Sequence, residues 1–133
     1  MNKISVYLCL YLTASISFAT QIVLDNKTDY PAKDNRGKIA VQWVTSAEAI
    51  NESNKTIING SKLDLSSLKI LSQKGEIKLT LPNHANYFRV VVWSTGKKGP
   101  DLLTNWVDIV PDKTYIVNQD QLASAILMSG AGC

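Results

Sequence analysis

Cysteine and histidine are almost missing from this chain of 133 residues, which has two cysteines, Cys9 and Cys133, and one histidine, His84. Cys9 falls in an apolar leader, so the body of the chain holds no cysteine before its last residue and cannot carry an internal disulfide framework. His84 and Cys133 have no zinc-ligand spacing, the aspartates show no calcium-loop pattern, and glycine-rich phosphate loops are absent. With no serine elbow and no Cys–His pair in the body, nucleophilic catalysis has no recognisable constellation. No metal or cofactor is expected, and the chain reads as non-catalytic. Charge of one sign is also lacking: 14 Lys and Arg against 11 Asp and Glu leave +3, too mild for a nucleic-acid binder. Repeats of solenoid or propeller length do not occur.

The N-terminus has what a secretory leader needs: a positive start, an apolar stretch of roughly 7–15 residues, and small residues at the cleavage point. Met1-Asn2-Lys3, Ile4 to Leu12 and Ser17-Phe18-Ala19 supply them in order. A transmembrane anchor would need about 20 apolar residues, and Thr13, Ser15 and Ser17 interrupt the run. Cys9 sits in mid-run after Leu8, not behind a small residue at the end of the leader, which argues against a lipid anchor there. The expectation is a signal peptide over 1–19, cleavage before Thr20, and one exported domain over 20–133, secreted or periplasmic. Loss of Lys3 lowers the net charge to +2. Cys133 is left as a terminal thiol, free or available to cross-link two chains.

Beyond the leader, short alternating apolar runs are broken by Asn, Asp, Gly and Pro, the pattern of many strands joined by turns. Strands are expected at 21–25, 38–44, 55–58, 76–81, 87–94, 104–110, 114–118 and 124–128. Seven or eight short strands point to an all-β fold, an antiparallel β-sandwich. Ile39, Val41 and Trp43 share one side of a strand, as do Ile77, Leu79 and Leu81, and both sets should line the core. The opposite side of the first set carries Lys38 and Gln42. Residues 46–54 are compatible with a short helix, and the leucines from Leu63 to Leu71 fit neither period.

Leu79 to Trp93 runs as an apolar strand ending at Pro82, followed by Tyr87 at the start of the next strand. A second corner reads Ile109-Val-Pro111-Asp-Lys-Thr-Tyr115. These corners resemble those of immunoglobulin-like and fibronectin type III-like sandwiches, where the tyrosine hydroxyl closes the corner by a backbone hydrogen bond. The spacing from proline to tyrosine differs between the two corners, and the intersheet cysteine pair of antibody domains is missing. The resemblance implies a fold and leaves function open. The leader resembles those of Gram-negative secreted proteins, and the whole is similar to small effectors exported by type II secretion.

The sharpest functional feature is a hairpin expected over 87–110. If Phe88, Val90 and Val92 face the core with Val107 and Ile109, then Tyr87, Arg89, Val91, Trp93, Thr104, Trp106 and Asp108 face outward, with Trp93 paired to Trp106. The connecting loop carries Lys97 and Lys98 at a glycine-rich tip. Arg89, Trp93, Lys97, Lys98 and Trp106 would then form a basic and aromatic patch. Such a patch suits an anionic phospholipid surface, phosphoinositide headgroups in particular, with tryptophan at the headgroup level. The same tryptophans suit sugar stacking or a protein interface, so a glycan- or protein-binding module stays open, as does a structural role in the envelope. A hydrolase built from Asp101, Asp108 and Asp112 has no warrant in the sequence. His84 reads as a solvated turn residue, and four Asn-x-Ser/Thr triplets begin at Asn26, Asn51, Asn54 and Asn59.

Overall fold

The structure, a computed structural model, describes residues 19–33, 37–96 and 99–125. Residues 1–18 of the leader, Lys97, Lys98 and Cys133 lie outside the described residues. Nine strands occur among those described: β1 (Ala19–Lys27), β2 (Lys38–Val44), β3 (Leu68–Ile70), β4 (Gly75–Pro82), β5 (Tyr87–Trp93), β6 (Leu102–Leu103), β7 (Val107–Asp108), β8 (Thr114–Asn118) and β9 (Ala123–Ser124). One α-helix, α1 (Ala47–Ile58), follows β2. A three-stranded sheet has the order β4-β1-β8, and a second runs β3-β2-β5-β6-β9 with β7 also paired to β5. Every described pairing is antiparallel except that of β1 with β8.

The core between the sheets follows from period-two alternation. Ile22 and Leu24 of β1, Leu79 and Leu81 of β4, and Tyr115 and Val117 of β8 pack against Ile39 and Val41 of β2 and Phe88, Val90 and Val92 of β5. Trp43 and Ile77 are partly buried against the same cluster, so both apolar sets read from the sequence do line it. Each fully buried aliphatic side chain contributes about 1.5–3 kcal/mol, enough to fix the register of both sheets. The result is an all-β sandwich.

A third layer lies outside it. The other face of the larger sheet holds Ala40 and Gln42 of β2 opposite Val91 and Arg89 of β5, and all four are buried. Ala40, Val91 and Leu103 join Ile57 of α1, Leu63 and Ala125 in a second apolar cluster. β5 is therefore covered on both faces, which explains its unbroken Val90-Val91-Val92 run. The strand expected at 55–58 is instead the last turn of α1. Ser46 caps the N-terminus by accepting from the Ala49 amide (3.2 Å), and the chain leaves at Asn59-Gly60 with Gly60 at φ +69°.

The expected strand at 104–110 is also corrected. β5 pairs with Leu102 and Leu103 and then again with Val107 and Asp108, with a break between. Thr104 makes the break by occupying the ladder twice, its amide donating to Val90 O (3.0 Å) and its hydroxyl accepting from Val90 N (2.9 Å). Of the strand expected at 124–128, only Ser124 lies in β9; Ala125 follows it, and the remainder is outside the described residues.

The Pro111 corner closes as the resemblance implied. Pro111 and Asp112 form a turn in which Asp112 has φ +63° and Lys113 N donates to Val110 O (3.3 Å). The Tyr115 hydroxyl donates to Asp108 O (2.7 Å) and accepts from Val110 N (2.8 Å). At the Pro82 corner the closing residue is Asn86: its amide donates to Val44 O (2.9 Å) and its side chain to Thr45 O (2.8 Å).

Candidate functional site

Arg89 occupies the centre of the helix-covered face. It is 2% exposed, the reverse of the outward placement expected from alternation, because α1 lies over that face. Its Nε donates to Gln42 Oε1 (2.8 Å), one terminal nitrogen to Asn54 Oδ1 (2.9 Å), and the other to Ser53 Oγ (2.9 Å). Gln42 Nε2 donates to Ser53 Oγ (2.7 Å), which joins sheet and helix in one network. Ser53 and Ile57 are the buried residues of α1. With a single buried apolar side chain, the helix relies on this polar network for its seat as much as on the hydrophobic effect.

The Trp106 ring closes the other side, with the guanidinium carbon 4.2 Å from its centroid, a cation–π contact. Burial pushes Arg89 down to about 10, still charged at neutral pH. No ion pair neutralises it among the described residues. Trp106 Nε1 is buried and has no hydrogen-bond partner among the described residues.

The expected pairing of Trp93 with Trp106 does not occur. Trp93 pairs with Lys38 and packs against the second cluster, and Asp108 pairs with Tyr87, not Val91. Arg89 and Trp93 are four residues apart on β5, about 13 Å at strand rise. The structure thus unites Arg89 with Trp106 and sets Trp93 apart from both, at the root of the loop that carries Lys97 and Lys98. That loop is clasped at its neck by Asp101, which accepts from both the amide and the hydroxyl of Ser94. Gln42, Ser53 and Asn54 were missed as partners of Arg89; the three consecutive valines at 90–92 were the signal that β5 has no solvent face.

The Asn-x-Ser/Thr triplet at Asn26 is also internal. Asn26 and Thr28 are buried, and Asn26 Oδ1 accepts from the Thr28 amide (3.1 Å) and hydroxyl (2.7 Å) while Nδ2 donates to Tyr30 O (2.9 Å). A glycan has no room there in the folded chain.

A different surface stands out at the margin of the smaller sheet. β8 has β1 on one side and no described strand on the other. Lys113 O already accepts from Val23 N (3.0 Å), so the alternate backbone groups at Thr114 and Ile116 point to the open edge. Ile116 is 53% exposed at the centre of β8.

Fold and sites together define a two-sheet β-sandwich with a helix docked on one outer face. No protein-family model matches this chain, and no curated protein matches it significantly. Among solved structures it is similar to Lip of Serratia marcescens, described as a membrane bound component of the type VI secretion system. Identity is 18% over 80% of this chain and 94% of that one, with a TM-score of 0.38. Among the described residues, no helix is long and apolar enough to cross a membrane.

Proposed function

We propose that this chain is an exported, non-catalytic binding module whose partner is a protein segment in extended conformation, added as a strand along the open edge of β8. The observation that carries this reading is the missing protection of that edge. Exposed edge strands are normally blunted by charge, proline, a bulge or shortness. β4, the other margin of the smaller sheet, carries Glu76 and Lys78; β3 is three residues long and carries Lys69; β9 has two residues. β8 has five residues, no charge and no proline, with Ile116 exposed at its centre. Free backbone groups would supply affinity, and Ile116 would select an apolar side chain opposite it.

The immunoglobulin-like reading agrees with this proposal, because such sandwiches present edges as well as loops, and the Tyr115 corner supports it. Export rests on the leader-like sequence. The phospholipid reading loses two of its five residues, since Arg89 is engaged internally and Trp106 lies on it; Trp93, Lys97 and Lys98 are what remain.

Selection of displayed random peptides on the purified protein tests the proposal, with Ile116→Lys as the comparison. The expected ligands alternate apolar and polar residues, and their affinity falls at least about tenfold on the variant. Peptides that bind both proteins equally would sink strand addition. Selective co-sedimentation with phosphoinositide liposomes, lost on Lys97→Ala/Lys98→Ala, would place the function at a lipid surface instead.

A further inference from the structure

A buried cation with no anion among the described residues is a feature of this fold that packing does not explain. Neutral acceptors take three of the five N–H groups of Arg89, one on each nitrogen, and no described residue takes the other two. Buried charges are ordinarily paired, because the charged form loses its hydration and neutral hydrogen bonds restore it incompletely. The indole N–H of Trp106 is a further buried donor without a partner among the described residues, on a ring already in contact with the same guanidinium. Unsatisfied donors gathered around a positive charge describe the complement of an oxyanion.

We infer that Arg89 and Trp106 form a receptor for one carboxylate, which takes the two open guanidinium N–H groups and the indole N–H. The charge selects the ligand class: one monoanion neutralises the site, whereas a phosphate dianion would bury a net negative charge in its place. Entry is through Trp106. It lies between Thr104, which is bonded to Val90, and β7, takes no part in a strand pairing itself, and is only half-buried, so its side chain can turn aside without breaking one. Gln42, Ser53 and Asn54 hold the guanidinium in place meanwhile, and the planar fork is then presented without further ordering. The carboxylate has two sources, a free carboxylic acid or an acidic side chain of a peptide. This site is on the opposite sheet from the β8 edge and does not depend on it.

The test is titration of the nitrogen-15-labelled protein with sodium acetate and, separately, with an end-blocked peptide containing one glutamate, against sodium chloride at matched ionic strength. Saturable shifts of the Arg89 Nε–H and Trp106 Nε1–H signals are expected with a carboxylate and not with chloride. A response to the peptide at least about tenfold tighter than to acetate assigns the site to an acidic segment, and the reverse order to a small acid. Trp106→Phe, which keeps the ring and removes the donor, should weaken binding, and Arg89→Lys should abolish saturation by removing the fork. Ile116→Lys should leave every response unchanged. The wild-type titrations decide the matter even if Arg89→Lys does not fold: absence of saturation with both carboxylates, or equal shifts with chloride, overturns the assignment.

Discussion

Tyr115→Phe removes one oxygen atom and tests the corner that joins the two sheets. The hydroxyl makes two backbone hydrogen bonds, to Asp108 O at 2.7 Å and from Val110 N at 2.8 Å. Phenylalanine retains the edge-to-face contact with Phe88, whose centroid is 4.8 Å away at 80°, so ring burial is nearly constant. Each hydrogen bond is worth about 1 kcal/mol net. Asp108 and Val110 are themselves exposed enough for water to reach their freed groups, which keeps the desolvation penalty small. The loss should therefore be about 1.5–2 kcal/mol. Urea unfolding followed by far-ultraviolet circular dichroism measures it. With a slope of about 1.5 kcal/mol per molar for a domain of this size, the midpoint should fall by about 1 M at unchanged slope. A shift below about 0.3 M would refute the claim that the hydroxyl closes the corner.

Two further outcomes are expected from local geometry. Ser46→Ala removes the cap of α1 and should destabilise the fold by about 1 kcal/mol, read by the same urea titration. Asp64 is held below its ordinary value of 3.8 by hydrogen bonds from the backbone and side chain of Ser66. Its folded value lies below its unfolded one, so its small contribution is complete above the unfolded value and lost as pH falls through the folded value. A carboxyl carbon-13 titration should place its midpoint below 3.8, and Ser66→Ala should move it upward.

Much of the sandwich was legible in the sequence because it depends on local alternation. Ile39 and Val41, and Leu79 and Leu81, appear at every second position and end on one buried face whatever the topology. The Pro111–Tyr115 corner was legible for a similar reason, since proline and a positive-φ aspartate set the turn within four residues. The 87–110 hairpin was misread because alternation tells two faces apart without telling which is wet. Arg89 is a surface residue by type and by pattern, and only the docking of α1 made it internal.

The register failed for a second reason. The expected pairing of Trp93 with Trp106 implied a long loop, whereas the ladder already closes at Val92–Leu102 and Val91–Leu103. The Thr104 hydroxyl on Val90 then shifts the later partners, Phe88–Val107 and Tyr87–Asp108, by one residue. Such competition is a property of two segments in contact and has no trace in either one alone.

Sequence by itself thus determined the strands with one apolar face, the tight turns and the scarcity of catalytic and metal-binding side chains, because each depends on residue type and short spacing. Tertiary structure alone decided which faces are covered, where β5 meets β6 and β7, that β8 has no described strand on its second side, and that a cation lies buried against Trp106 with no anion among the described residues. Those outcomes depend on which elements pack together, a long-range choice whose energy is shared among residues far apart in the chain.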